Sequence, residues 1–587
     1  MFGQNAKKAI VPKLEKLCGK TVEMAVGIIR KFKIMNGTIS IRGDFIVAFC
    51  ENCGNKLNEE DAFCENCGEK VISSKCDLDE IVDGAYDEWV RDNSIFSLFQ
   101  SRDWKTLWKD VCSGAKDCEI GIIITREKSL LKELQQCSQA DLHTTISSFI
   151  QSRRTQGILY YYLDLDNCAV TPFSSSTCSH TIDILSEIAK ELPPKYIFIL
   201  GNEKIINVMS WEDKTKDDDD IESDFCYTTL DQRSPWERKK YDFSNMFRVG
   251  RLPIYHNESF EEFKTYFDSV MSVADGLGCK ENYGLSALVW QKESDHEYNT
   301  FANGNVDVSP DITLSNVSNR FSKNTNTFYF NLHGSNQTEY WYGQQGKSYP
   351  QAFAPNILNG VSTPFILAVE ACYGARYTGG LTAQNSILLN AMVHKCISFL
   401  GSSRIAYGRP SPPGSCADDI VGEFLRQVSS GESVGDAFIA GMKKIVSSSN
   451  TLDDAEVKTI AEFNLYGDPS IAINYSSKKT FDNQHSKILS KIHDRVRVSL
   501  PDIRTPLRME LAKVNAQIEQ MIDDFVFSTY FDGIDSKLSM NIQQKVFRLP
   551  ELNLNQKVFT QKLDHFSQII KVYFDDAGEI KKVYESK

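Results

Sequence analysis

The sequence lacks several features that would place it in a membrane, in a secretory pathway or on nucleic acid. It has no run of about 18 or more apolar residues, which argues against a membrane span. Its N-terminal stretch contains neither a continuous apolar core nor a small-residue cleavage site, so we expect no secretory signal and a cytoplasmic protein. A formal net charge of −13 disfavours broad electrostatic binding to nucleic acid or anionic lipid. The 16 cysteines are too dilute for a disulfide scaffold, and in a cytoplasm they are expected to be reduced thiols or metal ligands.

The spacing of short apolar runs predicts an α/β fold. Strand-like runs that alternate with helix-length segments are typical of a mostly parallel sheet with helices on both faces. In the first half these runs are EIGIIIT (119–125), GILYYYLDLD (157–166) and KYIFILG (195–201), with a helix over 180–192. In the second half they are SALVWQ (286–291), TFYFNL (327–332), PFILAV (364–369) and CISFLG (396–401). We therefore expect two α/β subdomains.

The composition divides the chain into six segments. They are an N-terminal segment (1–45), a cysteine unit (46–72), a helical connector (73–117), a first α/β subdomain (118–280), a second α/β subdomain (281–477) and a C-terminal α+β domain (478–587). In the last of these, an Asp-Asp-Ala-Gly turn between two alternating runs predicts a β-hairpin. The charged stretch 211–240 is expected to be a solvated loop, and we offer it as a site of activating cleavage. Its DDDD run (217–220) lacks the spacing of a calcium loop.

Four cysteines form two Cys-x-x-Cys pairs with ten residues between them. They are Cys50, Cys53, Cys64 and Cys67. Two residues between thiolates let one tight turn present both sulfurs to one metal, and four thiolates make a closed structural site for Zn²⁺. The pattern resembles a zinc ribbon; two disulfides are the alternative, which fits a cytoplasmic chain poorly. Because this unit is acidic, we expect a protein-docking or purely structural role rather than nucleic-acid binding.

Two predicted strands run directly into side chains that could perform chemistry. One leads into His333 and Gly334, and the other leads to Cys372. The C-terminal ends of parallel strands share one edge of a sheet, where such folds place their sites. A nucleophilic thiol needs a base, and the oxyanion formed on attack needs donors. Alone, each residue has a structural explanation, a turn histidine or a buried cysteine. Together they predict a dyad, with the N–H groups of Gly334 and Cys372 as the donors.

With these motifs, the chain resembles the gingipain family within the caspase-type superfamily of cysteine peptidases. The resemblance covers roughly residues 118–475. Besides the dyad it rests on SDFCYTTLD (223–231) before FRVGRLPIY (247–255), on HGSNQTEYWYG (333–343) and on FNLYGDPSIAI (463–473). It implies a caspase/gingipain-like α/β fold with the dyad in the second subdomain, a tyrosine-bearing strand at 223–231, and endopeptidase activity. By the same resemblance Cys372 is the nucleophile, His333 the general base and acid, and Gly334 with Cys372 the oxyanion hole.

The sequence departs from the family pattern at several places: the family is secreted, whereas this chain has a zinc-ribbon pattern and no expected signal, and two further departures concern the site. The family's histidine is assisted by an acid, and VWQKESDHE offers Glu293 or Asp295 without deciding between them; a solvated charged loop is the alternative for either. The family prefers Arg or Lys before the cut because an acid lines its pocket, but the corresponding wall near 401–410 supplies two arginines. Asp418 and Asp419 follow at a predicted helix start, where they serve as N-terminal helix charges. The substrate preference is therefore left open.

The sequence predicts a regulated cytoplasmic cysteine endopeptidase that cuts a specific protein partner. The zinc ribbon and the C-terminal domain are expected to regulate it or to dock a partner. Intracellular caspase-like peptidases of bacteria often act in defence, where they cut a pore-forming protein or another effector; this is an analogy of fold and context. The alternatives are a catalytically silent scaffold, which the intact dyad disfavours, and a zinc-ribbon regulatory or nucleic-acid protein, which the acidic charge disfavours. The histidines without ligand neighbours are expected to be structural: His180, His256, His296 and His394.

Overall fold

The structure of the chain is a computed structural model that describes most of the residues after position 118. The described residues are 119–166, 178–191, 193–238, 241–273, 281–447, 451–473, 515–531 and 542–587, with short strands at 48–49, 56–57 and 509–510. The chain forms two units, residues 1–88 and residues 89–587. Only the first two strands belong to the first unit, and all the other described elements belong to the second.

The elements alternate along the chain as the sequence predicts. The strands are β1 (Ala48–Phe49), β2 (Lys56–Leu57), β3 (Glu119–Thr125), β4 (Leu134–Gln135), β5 (Ile158–Asp164), β6 (Tyr196–Leu200), β7 (Met209–Trp211), β8 (Ile221–Ser223), β9 (Arg248–Leu252), β10 (Glu258–Ser259), β11 (Asn282–Ala287), β12 (Asp307–Ser309), β13 (Thr327–Asn331), β14 (Trp341–Tyr342), β15 (Gln351–Phe353), β16 (Phe365–Val369), β17 (Cys396–Ser402), β18 (Tyr407–Gly408), β19 (Phe463–Gly467), β20 (Met509–Glu510), β21 (Ile542–Leu549), β22 (Leu554–Lys562), β23 (Ser567–Phe574) and β24 (Ile580–Ser586). The helices are α1 (Glu127–Glu133), α2 (Gln139–Arg154), α3 (Cys178–Glu191), α4 (Phe225–Thr229), α5 (Phe260–Ser272), α6 (Gln291–Tyr298), α7 (Ile387–Val393), α8 (Ala417–Ser429), α9 (Val434–Ser447), α10 (Asp454–Glu462) and α11 (Ala516–Tyr530).

A ten-stranded sheet forms the centre of the second unit. Its strand order is β12-β11-β13-β16-β17-β19-β9-β6-β3-β5, and every neighbouring pair is parallel except β17 with β19. Strands from both predicted subdomains therefore join in one sheet, and the strands beyond β17 run in the opposite direction. The mostly parallel caspase/gingipain-like α/β fold predicted from the sequence is confirmed.

Burial explains why the central strands read as continuous apolar runs. All five residues of β16 are buried, and so are all five of β13. A parallel strand covered on both faces has no solvent side on which polar residues could alternate. Phe330 pairs with Val369 across these two strands, so the chain leaves both strands at the same edge of the sheet. This register determines where the residues after each strand lie.

Two sequence predictions of strands are wrong in part. The run 286–291 is only the end of β11, and Leu288–Trp290 turn as a 3₁₀ helix that leads into α6. Its apolar character comes from Trp290, which is buried in the turn rather than in a strand. The segment 223–231, expected to be a tyrosine-bearing strand, contains the short helix α4, which ends at Leu230 in a left-handed conformation (φ 48°). Four of the five α4 residues are buried, so this segment packs into the core as a helical turn instead of pairing as a strand.

The C-terminal residues build a second, antiparallel sheet. Its order is β18-β24-β23-β22-β21-β20, and one face is covered by α11. The predicted hairpin is confirmed, because β23 and β24 pair on either side of the turn at 575–578, where Gly578 has a φ of 87°. Strand β18 comes from the second α/β subdomain. The C-terminal sheet is thus built onto an edge strand that the peptidase-like part supplies.

The acidic stretch at 217–220 is only partly the solvated loop that its charge predicts. Asp219 and Asp220 are exposed, as expected. Asp217 instead lies 2.5 Å from the buried Lys571 Nζ, and Asp218 accepts hydrogen bonds from the Ile405 N–H and the Tyr373 hydroxyl. The prediction was wrong for these two residues because hydrogen-bond donors and a cation from distant parts of the chain reach them, which local charge density cannot indicate.

The predicted zinc unit lies largely outside the described residues. Strands β1 and β2 pair antiparallel, with Ala48 opposite Leu57, on either side of the first Cys-x-x-Cys pair. Cys50, Cys53, Cys64 and Cys67 lie outside the described residues, as does the predicted helical connector at 73–117. The zinc site stays a prediction. No helix in the described part of the chain is both long enough and apolar enough to cross a membrane.

Candidate active site

The loops that follow β13 and β16 touch each other through their backbones. A Cβ atom placed on Gly334 would lie 1.7 Å from the carbonyl oxygen of Cys372, so only glycine fits at this position. His333 comes two residues after β13, and Cys372 comes three residues after β16. The structure therefore brings the predicted residues His333, Gly334 and Cys372 to one edge of the sheet.

A glutamine side chain orients the imidazole of His333. The His333 Nε2 atom lies 2.7 Å from Gln344 Oε1. The amide nitrogen of Gln344 donates to the Gly346 carbonyl oxygen and to the Tyr349 hydroxyl, so its oxygen is the acceptor toward His333. The neutral imidazole then carries its proton on Nε2, which leaves the lone pair of Nδ1 available to take a proton.

Neither of the two acids expected to assist His333 is its hydrogen-bond partner among the described residues. Asp295 accepts a hydrogen bond from the Val306 N–H. Glu293 is fully buried, and its carboxylate has charged neighbours in Asp418 and Lys587. Gln344 holds the position expected for an acid. Sequence reasoning missed it, although Gln344 directly follows the Trp-Tyr-Gly part of the motif that carries the resemblance.

The thiol and the imidazole are both uncharged in this conformation. Cys372 is buried, and its sulfur donates to the carbonyl oxygen of Ala406 over 3.6 Å. Burial raises the pKa of the Cys372 thiol well above its ordinary value. Burial also lowers the pKa of His333 to about 3, despite its hydrogen bond to Gln344. Both shifts have the same cause, which is the removal of water from the two side chains.

The backbone of Lys587, which follows β24, covers the thiol and the two N–H groups. The carbonyl oxygen of Lys587 accepts hydrogen bonds from the Cys372 N–H (3.0 Å) and the Gly334 N–H (3.5 Å). The Lys587 N–H donates to the Ala406 carbonyl oxygen over 2.9 Å. The two N–H groups predicted to hold an oxyanion therefore both face one carbonyl oxygen of a lysine.

The side chain of Lys587 fills an acidic pocket beside the thiol. Its Nζ lies 3.1 Å from Asp418 Oδ1 and 3.6 Å from Glu370 Oε2, and 4.4 Å from the centre of the Trp290 ring. Burial alone would lower the pKa of Lys587, but its acidic neighbours, Asp418 more than Glu370, raise it above the ordinary value. The pocket thus holds a cation in full burial between two acids and an aromatic face.

The chain matches a known protein family by sequence. The sequence model described as peptidase family C25 matches residues 122–474. The chain belongs to this family. C25 is the gingipain family of cysteine endopeptidases, and the chain is accordingly a cysteine endopeptidase. A solved structure described as "Structure of Protease" is similar at 11% identity, with a TM-score of 0.40, over 80% of this chain and 91% of that one. No curated protein matches the chain.

The two acids that line the pocket of this C25 peptidase were not predicted as pocket residues from the sequence. Asp418 does lie in the first turn of α8, as the sequence predicts, but its carboxylate also faces Lys587. Glu370 is the residue before Ala371-Cys372, so a strand-end acid two positions from the thiol was the available signal. No sequence pattern linked Lys587 to the pocket, because it lies 215 positions beyond Cys372 along the chain.

A loop of the C-terminal sheet covers the other side of the dyad. The ring of Phe566, in the turn between β22 and β23, stacks on the His333 imidazole with 4.8 Å between centres. Trp290 packs against the same imidazole at 4.3 Å. The Ser335 hydroxyl donates to the carbonyl oxygen of His565 in that turn. The imidazole is therefore enclosed by aromatic rings and fully buried.

Proposed function

We propose that this C25 peptidase cleaves protein chains on the carboxyl side of lysine, with Cys372 as nucleophile and His333 as general base and acid. One observation carries the proposal: a lysine carbonyl oxygen faces two converging N–H groups while the lysine ammonium lies between two acids. A substrate lysine bound in the same way has its carbonyl oxygen on the N–H groups of Gly334 and Cys372, the residue proposed as nucleophile. The two N–H groups and the two acids of the cleft thus together accommodate a lysine.

The arrangement supports a two-step acyl transfer. Nδ1 of His333 takes the thiol proton, and the thiolate of Cys372 attacks the carbonyl carbon. The N–H groups of Gly334 and Cys372 stabilise the negative charge that develops on the oxygen. Protonated His333 gives its proton to the leaving amine, and the peptide bond breaks to leave a thioester. His333 then takes a proton from water, whose oxygen displaces the thiolate and releases the carboxylic acid product.

Gln344 supports these reaction steps as a positioning residue. Its oxygen accepts the Nε2–H of His333 in both protonation states of the imidazole, so the ring keeps one orientation while Nδ1 gains and loses a proton. Being uncharged, Gln344 does not hold a fixed negative charge beside the ring. The Gln344→Leu variant is expected to have a lower kcat, with a smaller change in KM.

The test is a peptide library whose cleavage sites are mapped by mass spectrometry. We expect cuts after lysine from the native chain, and none from Cys372→Ala. Cys396→Ala is the matched control, because it removes another buried thiol, in β17, outside the cleft. Cuts without preference for lysine would refute the pocket assignment. Retained cleavage by Cys372→Ala would refute the nucleophile.

We also propose that Cys50, Cys53, Cys64 and Cys67 hold one structural Zn²⁺, on the strength of their spacing alone. Elemental analysis of the purified chain is expected to find about one zinc per molecule, as one four-thiolate site requires. Cys64→Ser is expected to lose the metal, whereas Cys76→Ser, outside the two pairs, is expected to keep it. Equal zinc in both variants would contradict the site.

For the cellular role, we propose a cytoplasmic enzyme with a specific protein substrate. The analogy with bacterial defence peptidases favours a pore-forming protein or another effector, and the zinc ribbon or the C-terminal domain is the proposed contact for a regulatory partner. The Cys372→Ala chain should retain its substrate in a pull-down from the native host. Recovery of no protein that the native chain then cuts would contradict a dedicated substrate.

A further inference from the structure

We propose that residues 580–587, which comprise β24 and Lys587, are an intramolecular inhibitor that fills the substrate cleft as a bound substrate would. The proposal rests on the proposed function, because it takes Cys372 and His333 as the nucleophile and the base. It adds that the conformation described here is closed, and that the C-terminal sheet must move before a substrate can bind.

The main chain of the segment binds as an added strand. β24 pairs antiparallel with β18, with Ser586 opposite Tyr407 and Glu585 opposite Gly408. Lys587 continues this ladder through its N–H bond to Ala406. Addition of an extended chain to an exposed strand edge is a common way for proteins to bind peptides. The edge of β18 is therefore already taken by the chain itself.

The side chains of the segment complete the same mode of binding. Lys587 is fully buried in the acidic pocket, and Glu585 accepts hydrogen bonds from the Trp290 indole (2.8 Å) and the Gln568 amide (2.8 Å). Ser586 accepts a hydrogen bond from the Ile569 N–H, on the neighbouring strand β23. A substrate lysine cannot enter while Lys587 holds Asp418 and Glu370.

A second part of the C-terminal sheet blocks the base independently of Lys587. Phe566 stacks on the His333 ring, and the hydroxyl of Ser335 bonds to the His565 carbonyl oxygen. The turn that carries His565 and Phe566 joins β22 to β23. One sheet thus occupies both the lysine pocket and the face of the imidazole, which explains why both groups of the dyad are buried.

Ion pairs and hydrogen bonds anchor the sheet to the peptidase-like part. Lys582, on β24, lies 2.8 Å from Asp453 and 2.9 Å from Glu456 at the start of α10. The Tyr584 hydroxyl donates to Asp453 over 2.8 Å. Because the inhibitory segment is tethered, its effective concentration at the cleft is of the order of millimolar or above. A free substrate at micromolar concentration competes poorly with it.

The test compares two lysine variants of the full chain. Lys587→Ala removes the pocket occupant, and Lys581→Ala is the matched control, because Lys581 lies on the same strand but forms its ion pairs with Asp575 and Glu579 near the surface. Two rates are measured: alkylation of Cys372 by iodoacetamide, followed by peptide mass spectrometry, and turnover of a lysyl fluorogenic peptide. We expect Lys587→Ala to raise both about tenfold or more over the native chain, and Lys581→Ala to change neither.

A peptide added in trans gives a second measurement. The octapeptide IKKVYESK, which reproduces residues 580–587, is expected to slow both rates in Lys587→Ala, and IKKVYESA is expected to have a much weaker effect. Phe566→Ala is a second variant, expected to speed alkylation without touching the lysine pocket. Its thermal unfolding, with that of Lys587→Ala, verifies that both variants are folded.

The outcomes separate this inference from the proposed function. If the native chain, Lys587→Ala and Phe566→Ala have equal turnover and equal alkylation rates, residues 580–587 are not an inhibitor. The peptidase assignment would still stand. A second outcome is that alkylation is faster in both variants but no variant turns over the lysyl peptide. This outcome would support the inference that the C-terminal sheet covers the thiol, and it would refute the proposed cleavage after lysine. Unchanged alkylation in both folded variants would overturn the inference even if lysyl peptides are cut.

Discussion

The carboxylate of Asp418 is expected to determine the preference for lysine, and its removal tests the pocket directly. In Asp418→Asn the side chain keeps its size and one oxygen. That oxygen can still accept the N–H groups of Arg409 and Ser415, which now bond to Asp418 Oδ2. The change therefore removes charge with little change of shape. Burial raises the pKa of Glu370 well above its ordinary value, so Asp418 supplies most of the negative charge near the substrate ammonium.

The separation of 3.1 Å between Lys587 Nζ and Asp418 Oδ1 sets the size of the effect. At an effective dielectric constant of about 20, Coulomb's law gives ~5 kcal/mol for this pair. Part of this is offset by the cost of removing both charges from water, which leaves about 2–4 kcal/mol. The expected loss in kcat/KM for a lysyl peptide is then about 30- to 700-fold. Because the ammonium contacts Asp418 equally before and during the reaction, the loss should fall on KM rather than on kcat.

The assay measures kcat and KM for paired peptides that carry lysine or the uncharged norleucine before the cut. Both are measured in a Lys587→Ala background, so that the chain's own lysine does not compete. Asp419→Asn is the matched control, since Asp419 shares the first turn of α8 but pairs with Lys444 at 3.0 Å. An unchanged ratio of lysine to norleucine cleavage in Asp418→Asn would refute the reasoning, as would an equal loss in Asp419→Asn.

Three further predictions follow from the same geometry. Gly334→Ala is expected to reduce turnover at least about 10²-fold, because its Cβ would displace a donor N–H, whereas Gly360→Ala, where a Cβ meets open space, should leave turnover unchanged; comparable kinetics in both would contradict the close approach. Burial raises the pKa of Glu293 to about 8 from an ordinary value of 4.5, so between these pH values the folded chain holds a proton that the unfolded chain has lost, and stability falls as pH rises. Glu293→Gln should therefore gain ~2 kcal/mol at pH 8 and little at pH 5; thermal melts at the two pH values measure this, and a pH-independent gain would refute it. A short peptide appended after Lys587 should be cut off at that residue, seen as a mass loss, and should stay attached when the proposed nucleophile is removed; release in both would point to another protease.

The edge of the sheet and its dyad could be predicted from the sequence because their determinants are local. Apolar runs that end at His333 and Cys372 indicate buried parallel strands, and parallel strands that end together place their next residues together. The C-terminal hairpin was equally readable, since a turn of Asp-Asp-Ala-Gly between alternating runs specifies its own register. In each case a few neighbouring residues contain the whole signal.

The parts that the sequence did not indicate depend on contacts between distant segments. The pocket of Lys587 combines Asp418, Glu370 and Trp290, which lie 169 to 297 positions before it. Asp418 looked like a helix charge because one residue can serve a helix start and a pocket together. The segment of α4 was expected to be a strand because the family resemblance implied one, and five residues are too few for their periodicity to separate a helix from a strand.

The acidic stretch at 217–218 has a consequence for how the two parts of the second unit communicate. Asp217 bonds to Lys571 in the C-terminal sheet and to the Tyr407 hydroxyl on the strand that β24 joins. Its neighbour Asp218 bonds to Tyr373, the residue after the thiol. Two adjacent carboxylates therefore connect the C-terminal sheet to the loop that carries Cys372. A cut in this stretch, or the loss of its charge, would therefore remove contacts both of the C-terminal sheet and of the loop that carries Cys372.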